Sequence, residues 1–206
     1  MADQKKNTGA AADKQAEIWL EKNWKKILLS IVVLLVVGMG IFYGINQRAV
    51  QQKTAAAELA AAEVSDIAGL LEKNPDVPGA AAARLRLIKS LCEEKKYTEA
   101  AKQLSLLAAD ENASPVIRSR ARLDAASCKE LNGELKEAAE MYLELSNDYS
   151  IASELRNEAA YQAGRLLLAL KDARGKNVLK TLAEVPADPL TGKNFWQKNA
   201  SALLAE

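Results

Sequence analysis

Histidine is missing from all 206 residues, and cysteine occurs only twice. Without histidine there is no imidazole general base, and the commonest metal ligand is gone. Two cysteines are too few for a disulfide-built scaffold or a four-cysteine zinc site. An excess of either charge is lacking too, since 28 basic and 27 acidic residues leave a net of +1. That balance carries no electrostatic footprint for nucleic acid. No glycine-rich phosphate loop occurs, and no serine, cysteine or carboxylate constellation has catalytic spacing. Runs such as Glu93-Glu94-Lys95-Lys96 have the spacing of a solvated helix face. Neither enzyme activity nor a cofactor or metal is expected.

What the chain does have is a run of nineteen uncharged residues, Ile27 to Ile45. A helix of that length reaches about 28 Å, close to the ~30 Å hydrocarbon core of a bilayer. The run is apolar on every side, whereas a soluble helix buries one stripe. A cleaved signal peptide needs a shorter apolar core with small residues close behind it. Bulky Phe42, Tyr43 and Ile45 stand there instead. We therefore expect a retained, single-pass transmembrane helix over 27–45. Lys14, Lys22, Lys25 and Lys26 precede it, while only Arg48 and Lys53 follow closely. The positive-inside rule puts residues 1–26 in the cytoplasm and the remainder outside, in the periplasm for a bacterial inner membrane. Residues 1–14 are polar and alanine-rich, so disorder is expected there. Leu20, Trp24 and Leu28 share one face of a short interfacial helix leading into the span. Within the span, Gly40 and Gly44 form a small-xxx-small pair that allows close helix packing, including packing on a second copy as a homo-oligomer.

Beyond the span, residues 46–73 are rich in Ala, Glu, Gln and Leu, which favours a stalk helix. Asn74-Pro75-Asp76-Val77-Pro78-Gly79 then breaks it. From there a helix–turn–helix pattern recurs three times over 79–186 with a shift of 38 residues. Ala83, Ala121 and Ala159 correspond, as do Leu87, Ala125 and Ala163, and Ile88, Ala126 and Gly164. Small residues recur where the two helices of a hairpin cross, and a lone hairpin cannot bury its apolar face, so the hairpins must stack.

Small residues in the first helices, followed by Ala100 and Ala138 in the second, resemble the tetratricopeptide repeat (TPR). Lys96-Tyr97-Thr98-Glu99-Ala100 and Asn132-Gly133-Glu134-Leu135-Lys136-Glu137-Ala138 are similar to its entry into the second helix, and Lys176 takes the alanine place in a degenerate third copy. The fold class is therefore all-α: one N-terminal transmembrane helix, then a TPR-like α-solenoid of about three hairpins. Residues 187–206 would close it with a capping helix whose Phe195, Ala202 and Leu203 turn inward. The order of parts, from Glu17–Lys26 through the span and stalk to the repeats, resembles the ancillary Sec translocon subunit (YfgM-like) family. That resemblance implies Sec translocon subunits and periplasmic chaperones as partners.

In a stacked solenoid the first helices line the inner face. The repeat alignment places Leu85, Leu123 and Tyr161 in one column, with Lys89, Ser127 and Arg165 beside it. Arg120 and Glu158 share a further column. This face is expected to take a peptide segment and one carboxylate, with an ordinary solvated face whose charges are paired as the alternative. Cys92 and Cys128 lie on neighbouring first helices. They are expected as small buried hydrophobes, with a disulfide as the alternative. The resulting expectation is an interaction scaffold held at a membrane, with a structural subunit of another envelope assembly as the alternative.

Overall fold

The computed structural model describes residues 3–186 and 192–205, with side chains from Glu17 onward. It divides into two units, Met1–Thr54 and Ala55–Glu206. Nine helices run through the described residues.

The first unit consists of helix α1, Asp3–Ala61, whose last turns enter the second unit. From Glu17 onward it holds an eighteen-residue apolar stretch hydrophobic enough to cross a membrane, and none of that stretch is buried within the protein. Leu34 and Phe42, for instance, are 71% and 74% exposed. A methyl group added at Gly40 or Gly44 would meet nothing within 4 Å. The helix is unbroken from Asp3, which corrects two expectations. Residues 3–14 are helical rather than disordered, and no separate interfacial helix precedes the span. Once a long apolar helix has formed, adding alanine-rich turns to its end avoids the cost of nucleation.

In the second unit, the expected single stalk helix over 46–73 is two helices. α1 stops at Ala61 and α2, Val64–Lys73, starts afresh. No Gly or Pro marks the break. The Arg86 guanidinium instead donates to the carbonyls of Ala60 (3.3 Å) and Ala62 (2.9 Å). A cation at these otherwise unpaired carbonyls stabilises a helix C-terminus. The break lets Leu59 fold back with Ile67 and Leu71 onto Val77, Ala83 and Leu87.

Three hairpins follow. They are α3 (Ala80–Glu93) with α4 (Tyr97–Ala109), α5 (Pro115–Leu131) with α6 (Leu135–Ser146), and α7 (Ser153–Ala169) with α8 (Arg174–Glu184). α5 begins with proline at its first position, behind an N-cap where the Ser114 hydroxyl accepts from the Ile117 N–H. The first helices end at Glu93, Leu131 and Ala169, spaced by the 38-residue period. Lys95, Gly133 and Lys171, again 38 apart, all take positive φ, at 58°, 84° and 59°. At each one the following N–H reaches back to close a Schellman turn: Lys96 to Leu91, Glu134 to Lys129 and Asp172 to Leu167.

The core is a chain of clusters. Leu104 and Leu107 join Ala121 and Ala125 between α4 and α5. Ala138 and Tyr142 meet Ala159 and Ala163 between α6 and α7. Each cluster needs the next hairpin to complete it, as in a solenoid. Burying a leucine such as Leu104 contributes about 1.5–3 kcal/mol. In the third hairpin the alanine place does not fall on exposed Lys176, as the alignment had it. Gly175 is the buried residue there. A methyl group on Gly175 would lie 2.7 Å from the Leu168 nitrogen and 2.8 Å from the Gly164 carbonyl oxygen. The α7–α8 crossing is therefore tighter than the other two and admits only glycine.

The last helix, α9 (Phe195–Leu203), opens with a capping box between Asn194 and Gln197. Residues 187–191, the first part of the expected cap, lie outside the described residues. The inward face also differs from the expectation. Trp196, Ala200 and Leu203, spaced i, i+4 and i+7, turn to the core, while Phe195 is 64% exposed. The capping box sets this rotation, because the Gln197 side chain must point back to Asn194 and on to the Val185 carbonyl (3.2 Å).

Candidate interaction surfaces

The face proposed from the repeat alignment is largely occupied by its own neighbours. Leu123 is 1% exposed and belongs to the core between α5, α6 and α7, so it lines no groove. The Ser127 hydroxyl is 2.7 Å from the Tyr142 hydroxyl, which is itself buried. Burial pushes the Tyr142 pKa up to about 12, with the Ser127 hydrogen bond acting the other way. Tyr161 is covered by Trp196, ring centroids 5.6 Å apart. Arg165 donates to Glu130 at 2.6 Å and to Gln162. Of the eight residues, Leu85, Lys89 and Arg120 are exposed, and Lys89 lies 3.9 Å from Glu93 one turn on.

Arg120 and Glu158 are brought together across α5 and α7 at 3.0 Å, and Arg120 also holds Asp124 at 2.9 Å. Partial burial works against the Arg120 charge, but the bonds and attraction to Asp124 and Glu158 outweigh it and raise its pKa. The pairing has a simple cause. Equivalent positions in successive repeats sit side by side, so opposite charges 38 residues apart neutralise each other. The groove reading counted them as available to a ligand, whereas here they pair with each other, as its alternative had it.

The two cysteines are free thiols. Cys128 is buried in the α3–α4–α5 core and Cys92 packs against it. Burial first, then the neighbouring Cys92 thiol, push the Cys128 pKa up to about 12.

A second surface went unread in the sequence. Arg84 and Arg122 occupy the same place in the first two repeats, and Asp110 and Asp148 follow each by 26 residues. Arg122 bonds Asp148 at 2.5 Å and Glu144 at 3.2 Å. Arg84 is buried, with Gln103 at 2.8 Å. Desolvation lowers its pKa, and attraction to Asp110 partly offsets this. In the third repeat, where α8 sits one residue ahead of the 38-residue shift, the two places hold Ala160 and Val185. There a cavity of about 840 Å³ opens between α6, α7 and α8. The corresponding cleft in the second repeat, with Arg122 and Glu144 in its wall, has about 340 Å³. Asn157 and Ala160 reach the larger cavity from one side of α7, while Glu158, Tyr161 and Arg165 belong to the adjoining side. The recurring Arg–Asp spacing and its loss were the signal available beforehand.

No protein-family model matches the chain, and no curated protein matches it. Two solved structures are similar: a kinesin light chain-like protein of nearly identical TPR-like repeats from Podosopora anserina, and a substituted form of the same protein. Each is 17% identical, with 77% of this chain and 84% of the other covered, at a TM-score of 0.51. At that identity the likeness concerns the fold alone: this chain carries TPR-like helical repeats.

Proposed function

We propose that the chain is a membrane-anchored interaction scaffold, with residues 27–45 spanning a bacterial inner membrane and the TPR-like repeats working on the periplasmic side. The observation that carries this reading is the joining of a solenoid to an apolar helix with no buried surface of its own. Exposed leucine, valine and phenylalanine over five turns are costly in water and are satisfied by lipid. A stacked-hairpin solenoid offers extended surface and, among its described residues, no constellation of catalytic groups. An anchor then keeps that surface at high local concentration beside membrane-bound partners. By the resemblance in order of parts, those partners are Sec translocon subunits and periplasmic chaperones handling emerging polypeptides.

The test is protease access to the repeats in intact spheroplasts, with crosslinked neighbours identified in the same sample. The expected result is digestion from outside, with translocon subunits among the crosslinks. Protection of the repeats would overturn the topology. Digestion with a different, fixed and salt-stable set of neighbours would replace the translocon by a pilus, secretion or outer-membrane-assembly complex.

A further inference from the structure

From the cavity of the third repeat we infer a binding site for an extended, uncharged stretch of polypeptide, held through its main chain. The inference rests on the scaffold reading and names what the scaffold holds. The cavity exists because the third repeat lacks a matched pair. Ala160 stands where the second repeat has Arg122, Val185 where it has Asp148, and Thr181 where it has Glu144, because α8 sits one residue ahead of the 38-residue shift. Cation and carboxylates are removed together, so the space is enlarged without leaving an uncompensated charge in its wall.

What remains selects the ligand. The carboxamides of Asn147, Asn157 and Asn177 line the cavity together with the hydroxyls of Ser153 and Thr181. Each carboxamide offers a donor and an acceptor, the same complement as one peptide unit. Leu143, Val178 and Leu182 supply apolar wall for small aliphatic side chains. The one cation there among the described residues, Arg156, is already used: it donates to the Ile151 carbonyl at 3.1 Å and lies 4.7 Å from the Tyr149 ring centroid. Among the described residues, an anionic ligand therefore meets no free cation, and a cationic one meets the solvent-exposed Glu154. About 840 Å³ falls within the range of formed ligand pockets, roughly 300–1,000 Å³.

The test uses the full chain in detergent micelles and a fluorescein-labelled nonapeptide of Gly, Ser, Asn and Val, read by fluorescence anisotropy. A control peptide carries methyl groups on alternate backbone nitrogens. Saturable binding is expected, weakened about tenfold or more by backbone methylation, as for the loss of one or two hydrogen bonds. Ala160→Arg with Val185→Asp rebuilds the missing pair and fills the space, so binding is lost while the melting temperature is kept or raised. Asn157→Leu with Asn177→Leu keeps the branched side-chain shape, removes the carboxamides and weakens binding similarly. Undiminished binding by the filled variant, indifference to methylation, stronger binding of a Lys-rich peptide, or no binding to the wild type would each overturn the site. Peptide binding without any crosslinked neighbours in cells would sink the scaffold reading alone. Intact crosslinks with a peptide-blind cavity would sink this inference alone.

Discussion

Replacing Gly175 by alanine tests the packing of the third hairpin most directly. The new methyl group would sit 2.7 Å from the Leu168 nitrogen and 2.8 Å from the Gly164 oxygen, against an ordinary contact of 3.4 Å or more. Both opposing atoms are backbone, so relief requires α7 and α8 to move apart by about half an ångström or more. Overpacking of this kind costs about 1–3 kcal/mol. The better helix propensity of alanine returns up to about 1 kcal/mol. The net destabilisation is then about 1–2 kcal/mol, which lowers the melting temperature of a domain this size by about 2–8 °C. Thermal circular dichroism on the full chain in micelles, with the repeat-domain transition followed, reads this shift. Lys176→Ala is the matched control, since the side chain is exposed and the change is expected within about 0.5 kcal/mol. A neutral Gly175→Ala beside a strongly altered Lys176→Ala would refute the crossing described here and restore Lys176 to the alanine place.

Lys95 and Lys171 hold left-handed backbone that Gly133 adopts freely in the middle repeat. Lys95→Gly or Lys171→Gly should each stabilise by about 1 kcal/mol, and Gly133→Ala should cost about as much, as read by urea midpoints. The Asp148 carboxyl is held down at about 2, first by its hydrogen bonds from Ser150 and then by Arg122. A depressed carboxylate stabilises above its unfolded pKa of 3.8, and the effect fades as pH falls through about 2. The stability difference between wild type and Asp148→Asn should therefore be full at neutral pH and disappear in strong acid. With its thiol pushed up to about 12, Cys128 should resist N-ethylmaleimide at pH 8 in the native protein and react promptly once urea unfolds it. A Cys92→Ser variant isolates that signal, and fast native labelling would contradict the buried placement.

The hairpins were legible because their signals are local and repeated. Ala83, Ala121 and Ala159 mark the crossings, and all three are buried. The break after Ala61 was not legible, since the group that ends the helix, Arg86, lies 24 residues beyond Ala62 and only the fold brings it there. The inner face was misread for a geometric reason. Equivalent positions need not share burial: Leu123 is packed among α5, α6 and α7, while Leu85 at the equivalent place on α3 is exposed. The charges of Arg120 and Glu158 were read as ligand-facing when the repeat itself makes them neighbours. The cavity escaped notice because it is written as an absence, an Arg–Asp spacing present twice and then missing.

The sealed ends of the repeat unit have a consequence for assembly. Any stack of hairpins presents at each terminus the surface on which the next hairpin would sit. Here α9 lies across one terminus, where Trp196 meets Tyr161 and Ala200 closes over Leu179 and Leu182. Leu59, Ile67 and Leu71 occupy the other. Growth is therefore terminated in both directions, and copies of this unit cannot add end to end into a filament. Any oligomer has to form through the sides of the unit or through α1, which leaves each copy's lateral cavity a discrete site rather than part of a polymer.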